Sequence, residues 1–370
     1  MKKMFLATLC AFSLACASTA ADKASEAIVT LLNSRASGSR SEFREAAKIV
    51  AAGAKEGRPL QQFVIALVAN DKDLPRKLRL KPETRREYLD QARDKIRRLA
   101  EEKNNALAWY LLSLEKNDMS FLKRAADGDN VQALNAWGTI TLTNAFRDPS
   151  VDTNEVARTL VKCFGLFKKA ADKGDANGLY NLGMCHLRGL GTPQDDQSAF
   201  NCFRSAAEKE HPEAINNIGL FFREGRVVEK DLEMSTKWFE KSASYDNAYG
   251  QFNFALALQN GEGVAQDEAR AAGLLAKSAD GGCVEAIDAY GVALWKGRGV
   301  PENPEAAFKY FLRAAEAGYP PAMENLSTCY RFGKGVKADE RRSMEWKIRS
   351  RAARGDRNAQ AWLQQNAKMK

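Results

Sequence analysis

The chain has 370 residues, of which 45% are hydrophobic and 28% charged, with a formal net charge of +9. That balance suits a folded, water-soluble chain of two or three domains or one extended array, while 10 prolines and 26 glycines are too few for a low-complexity or collagen-like chain. Two histidines argue against a His-rich metal site, and the basic excess leans toward anionic partners without defining a fold.

The chain opens with a basic head, Met1-Lys2-Lys3-Met4, then an apolar stretch from Phe5 to Ala17 and small residues through Ala21. This is the layout of a secretory signal and is too short to span a bilayer. Residues 1–21 are therefore expected to be a signal peptide, cleaved after Ala17, Ala20 or Ala21, leaving a periplasmic or secreted protein. A lipid anchor at Cys16 is the lesser reading, because Ser13 stands where a lipoprotein box wants Leu. Beyond residue 21 no apolar run is long enough for a membrane helix; Phe63 to Val68 is far too short.

Residues 22–120 are expected to be helical, with decayed repeats at Gly57-Arg58-Pro59 ahead of Phe63-Val64-Ile65-Ala66 and at Ala106 to Leu114. Basic side chains crowd Arg76 to Arg98 and again Arg331 to Arg357. Loss of Cys10 and Cys16 with the signal would leave Cys163, Cys185, Cys202, Cys283 and Cys329. An odd number cannot pair completely within one chain, and without a CxxC the spacing implies neither a metal nor a cofactor. Cys163 and Cys185 lie equally far from a turn near residue 174, so a disulfide stapling that hairpin is a candidate, with buried free thiols the default reading. Cys283, at a helix cap, is read as an inert thiol in preference to one with a lowered pKa.

From Gly174 onward the chain aligns with itself every 36 residues, as in Gly178, Ala214, Gly250, Ala286 and Ala322. A second column reads Leu182, Ile218, Phe254, Tyr290 and Leu326, each followed by Gly, Ala or Ser. Glycine pairs close four of five rows (Gly189/Gly191, Gly261/Gly263, Gly297/Gly299, Gly333/Gly335), with Gly225 alone in the other. Such a pattern arises by chance with a probability on the order of 10⁻⁹.

Each row predicts two helices. The first ends at its first glycine, the residue suited to a left-handed cap. A short loop follows, with Val227, Val264, Val300 or Val336 to plug the gap. The second helix opens at Asp195, Asp231, Asp267, Asn303 or Asp339, residues whose side-chain oxygen satisfies a free backbone N–H. Bulky positions follow, including Phe203, Trp238/Phe239, Leu274/Leu275 and Tyr310/Phe311, then a small pair such as Ala314-Ala315.

These residues, in the order A-x-x-x-L-G, G-x-G-V, D-x-x-x-A and W-F-x-K-A-A, resemble the Sel1-like repeat, a relative of the tetratricopeptide repeat. The resemblance implies an all-α, right-handed α/α superhelix, a solenoid of about six repeats over 121–356 with a capping helix at 357–370. It also implies a non-catalytic scaffold or adaptor of the cell envelope that binds another protein or peptide in a concave groove. By analogy with tetratricopeptide arrays, the wall would carry Asn135, Tyr180, Asn216, Phe252, Asp288 and Glu324, and one turn on Leu187, Arg223, Gln259, Trp295 and Arg331. Aromatic, Arg and amide groups of this kind are common anchors for partners.

Two other readings compete. A β-lactamase or penicillin-binding type of hydrolase would use Ser113-x-x-Lys116 or Ser120-x-x-Lys123 with Tyr245-Asp246-Asn247, but Lys-Thr-Gly is missing. A binder of anionic envelope polysaccharide or lipid would use the basic end around Arg341 and Arg342. His186 and His211 sit in core-edge and cap columns and assemble no nucleophilic triad. No recognition helix or aromatic platform points to nucleic acid.

Overall fold

The computed structural model describes residues 27–28, 40–68, 78–147 and 152–367. The expected signal peptide, the Cys16 anchor, and Arg76 and Lys77 of the basic stretch lie outside the described residues. The chain forms two compact units, one through Ala214 and one from Ile215. Among the described residues there is no strand, and no helix is long and apolar enough to cross a membrane.

The first unit stacks helices in chain order: Arg40–Lys55, Pro59–Val68, Pro82–Lys103, Ala106–Lys116, Met119–Asp127, Val131–Ala145, Thr153–Asp172, Ala176–Arg188 and Asp196–Glu208. Each packs on its chain neighbours. Its core holds Phe63, Ile65, Ile96, Leu111 and Leu112, all essentially inaccessible to water. The early helices lack glycine pairs but still have built ends. Asn104 and Asn117 take the left-handed cap conformation at φ 44° and 55°, which Asn tolerates better than most residues. At the helix starts, Asn105 and Asn130 accept from Ala108 and Ala133 N–H at 2.9 Å, while Asp118 accepts from Ser120 N–H at 2.8 Å.

Helix Pro212–Glu224 begins in the first unit and ends in the second. The second unit continues with Leu232–Ser244, Ala248–Asn260, Glu268–Asp280, Val284–Lys296, Pro304–Glu316, Pro320–Phe332, Glu340–Ala353 and Arg357–Ala367, again packed in chain order. The expected caps form. Asp231, Asp267, Asn303 and Asp339 each accept a hydrogen bond from the backbone N–H three residues on at 2.9 Å. Gly297 closes its helix at φ 67°, its N–H bonding to Ala293 C=O, a conformation that costs a side-chain-bearing residue about 1–2 kcal/mol.

The pattern encodes two packing devices. In the first, an aromatic ring of the second helix packs directly against a glycine of the first. A methyl added at Gly138 would sit 2.6 Å from the Phe167 ring, and the same holds at 2.8 Å for Gly183 against Phe203, 2.6 Å for Gly219 against Phe239 and 2.7 Å for Gly291 against Phe311. These rings are buried, each contributing about 1.5–3 kcal/mol by leaving water. Where the ring gives way to Leu275, the facing residue enlarges to Ala255, and both are fully buried.

In the second device, the later glycine of each pair touches the start of the preceding repeat's second helix. Gly299 meets the Glu268 carbonyl, Gly263 that of Leu232 and Gly335 that of Pro304, with no room for a Cβ. Val264, Val300 and Val336 pack on the core as expected. Val227 does not. It occupies the second-glycine position, at φ 66° and 40% exposed, and Val228 falls in the plug register instead.

Candidate functional site

The positions expected to line a wall separate into two groups. Asn135, Asn216 and Asp288 are buried, at 1%, 6% and 8% exposure, and are spent between repeats. Asn135 donates to Asp175 Oδ2 at 2.6 Å and accepts from Asn181 at 3.4 Å. Asn216 accepts from Asn253 at 2.8 Å and Asp288 from Asn325 at 2.8 Å. Little of these three side chains faces solvent, and each is engaged by the neighbouring repeat. A polar group leaving water must find a hydrogen bond, and the next repeat supplies it. Burial also raises the Asp288 pKa, partly offset by Asn325.

The remaining positions are at least partly exposed, though several are engaged. Arg223 donates to Asn253 Oδ1 at 3.2 Å and lies over the Phe239 ring. Tyr180 stacks on His211 with centroids 4.7 Å apart. Trp295 lies under Lys334 Nζ at 4.5 Å, and Phe252 packs on the core. Leu187 is half-buried, as is Gln259, whose carbonyl takes a hydrogen bond from Gln266. Glu324 pairs with Arg354 at 2.8 Å, and Arg331 is exposed, its guanidinium 5.5 Å from the Phe332 ring.

Glu324 and Arg331 belong to a surface groove of about 460 Å³ between helices Pro320–Phe332 and Glu340–Ala353. Its rim carries Phe332, 70% exposed, and Met344, 55% exposed, which sequence reasoning missed. The groove exists because the ring-on-glycine device stops here. The column of Phe203, Phe239, Leu275 and Phe311 continues as Lys347, and that of Gly183, Gly219, Ala255 and Gly291 as Ser327. Lys347 is exposed and lines the groove, where the earlier repeats bury a ring or Leu275. The floor is satisfied: Ser343 Oγ donates to Ser327 C=O at 2.9 Å, and the two hydroxyls are 3.1 Å apart. Among the described residues Arg331 and Lys347 have no carboxylate partner, whereas Arg351 is paired with Asp356 at 2.6 Å. The column itself held this signal, in its break from aromatic to cationic at the last repeat.

Comparison with known proteins agrees with this geometry. The Sel1 repeat family matches at residues 160–175, 176–211, 212–244, 248–283, 284–319 and 320–346, and the four matches from 176 to 319 each enclose a complete helix pair. The chain belongs to the Sel1 repeat family. Among solved structures, a Sel1 repeat protein from Oxalobacter formigenes is similar at 25% identity and a TM-score of 0.56, covering 67% of this chain and 100% of its own. A protective antigen of uropathogenic Escherichia coli with an SLR fold aligns over 93% of this chain and 89% of its own, at 18% identity and a TM-score of 0.43. Among curated proteins none matches. As a Sel1 repeat protein, the chain is an all-α solenoid of the kind that generally serves as a protein-interaction scaffold.

Several of the chemistry-bearing residues of this Sel1 protein have structural partners. Ser113 is fully buried and donates to Tyr110 C=O at 2.7 Å. Ser120 is exposed but its Lys123 pairs with Asp127, and Asn247 caps a helix through Gly250 N–H at 2.8 Å. Among the described residues no three His, Cys, Asp or Glu side chains converge to hold a metal. The candidate Cys163–Cys185 bridge is not formed: both are free thiols in one apolar cluster with Phe167 and Leu182, Cys202 packing beside them. Burial pushes the Cys163 thiol up to about 11 and Cys185 to about 12, since an apolar surround disfavours the thiolate. Cys283, also free, is raised to about 11 for the same reason. His186 sits edge-on to Phe164 with its buried Nδ1 unbonded, and His211 caps a helix by accepting from Ala214 N–H at 3.3 Å.

Proposed function

We propose that this protein is an exported, non-catalytic scaffold of the cell envelope that binds another protein or a peptide. Export is supported by the basic head Met1-Lys2-Lys3 and the apolar stretch that follows it. The observation that carries the binding reading is the groove of the last repeat, with Phe332 exposed on its rim and two unpaired cations beside it. One exposed apolar side chain is ordinary, but an apolar patch rimmed by polar groups marks an interaction surface, and Phe332 and Met344 line the same groove among Arg331, Lys347 and Glu340. A photo-crosslinking amino acid replacing Met344 in cells tests this. The expected result is one discrete adduct in the envelope fraction, absent when the crosslinker replaces Lys309. Equal labelling from both positions would refute it, and recovery of the chain in the cytoplasm with its first residues intact would refute export.

A further inference from the structure

In each earlier repeat with an open glycine seat, the second helix supplies a phenyl ring: Phe167, Phe203, Phe239 and Phe311. Those rings are buried, and where the chain departs from Phe it conserves the fill with Leu275 over Ala255. At Ser327/Lys347 the seat opens into the groove, whose lining also includes the exposed Phe332 and Met344. The electrostatics beside the slot are one-sided. Glu324 is neutralised by Arg354, leaving Arg331 and Lys347 unpaired against Glu340. The segment carrying Lys368 and Lys370 would add cations to a cationic site.

We infer that the last repeat takes in trans the ring that its predecessors supply in cis: an aromatic side chain of a partner segment flanked by Asp or Glu. The ring lies between Phe332 and Met344 over Ser327, and the flanking carboxylates meet Arg331 and Lys347. This inference deepens the scaffold reading and rests on it. A buried aromatic anchor ringed by weaker polar contacts is how most peptide interfaces concentrate their affinity, and the paired charges make the association weaken as salt rises.

The test uses the full chain and a fluorescein-labelled peptide, Asp-Glu-Phe-Asp-Glu, read by fluorescence anisotropy. Saturable binding is expected, weakening between about 0.05 and about 0.5 M salt. The same peptide with Ala in place of Phe should bind on the order of tenfold or more weakly, as loss of a buried anchor dictates. The double variant Lys347→Phe with Ser327→Gly rebuilds the ring-on-glycine seat and should lose the peptide to a similar degree. Equal binding of the Phe and Ala peptides, undiminished binding by the double variant, or no saturable binding would each overturn the inference. The peptide comparison needs no altered protein, so it decides even if the double variant folds poorly. Crosslinking of a native partner from Met344 is scored separately. If that adduct persists while the peptides fail, the scaffold reading stands and only the aromatic-acidic specificity falls.

Discussion

Gly299→Ala and Gly318→Ala, both in the repeat 284–319, separate the close approach between repeats from the cost of a left-handed backbone. Gly299 has φ 68° and Gly318 φ 89°, so either alanine incurs the left-handed penalty of about 1–2 kcal/mol. Around Gly318 there is open space, and nothing lies within 4 Å of an added methyl. At Gly299 the methyl would collide with the Glu268 carbonyl and Ala269 N–H, backbone atoms that can move only by shifting a helix. Overpacking of that kind adds about 1–3 kcal/mol. Both substitutions also stiffen the unfolded chain, returning about 0.4–1 kcal/mol to each. The expected losses are thus about 1 kcal/mol for Gly318→Ala and about 2–4 kcal/mol for Gly299→Ala. Urea titration followed by far-UV circular dichroism reads both from the midpoint shift at constant slope. Equal shifts would refute the claim that the second glycine is there for the neighbouring repeat and not for its own turn.

Val227→Gly should have the opposite sign, raising stability by about 1 kcal/mol, because a β-branched residue at φ 66° is strained and its 40% exposure limits what is lost; a lowered melting temperature would contradict this. Asp175 and His211 predict opposing pH dependences. Burial raises Asp175 to about 7, so its contribution is full below about pH 4 and fades as pH rises to 7; Asp175→Asn, which keeps the cap on Gly178 N–H, should gain up to a few kcal/mol at pH 8 and nothing at pH 4. Burial lowers His211 to about 4, so the folded state resists a proton that the unfolded chain accepts below 6.5, and stability falls as pH drops from 6.5 to 4. His211→Asn should remove that acid-side loss, and an unchanged profile by pH-dependent urea titration would count against both assignments. In a Cys10→Ser/Cys16→Ser background, Cys202 should react first with a thiol reagent, and Cys163, Cys185, Cys283 and Cys329 only on unfolding, since they are buried and Cys202 is half-buried.

The parts of this fold legible in the sequence are those governed by short range. A helix start needs an oxygen three residues from a free N–H, and a helix end needs one residue with positive φ, so Asp231, Asp267, Asn303, Asp339 and Gly297 announce themselves one residue at a time. Asn104 and Asn117 do the same work at the early helices without glycine, which is why that region reads as decayed although its ends are as well made. Asn135, Asn216 and Asp288 were illegible for another reason. Their first-helix register points them outward from one repeat, but the next repeat covers them, and only coordinates show Asn181, Asn253 and Asn325 arriving as donors.

A repeat array makes function visible as departure from its own columns. Contacts between repeats differ at an array's end, but the contact between the two helices of one repeat is asked of every repeat alike, so a column of such contacts that holds through four repeats and changes in the fifth has been released from, or turned against, that requirement. The change to Lys347 is not a conservative relaxation: it exchanges a buried ring for an exposed cation, while the facing glycine becomes Ser327, hydrogen-bonded to Ser343. A repeat optimised for stability alone would keep the ring, which is worth about 1.5–3 kcal/mol once buried. Its absence, together with a 70% exposed Phe332 on the same rim, is the kind of local sacrifice of packing that functional sites make against an otherwise consistent design. Were Lys347→Phe with Ser327→Gly to leave the melting temperature unchanged or lower it, the slot would not be an abandoned ring seat, and the argument from the column would fail before any ligand was tried.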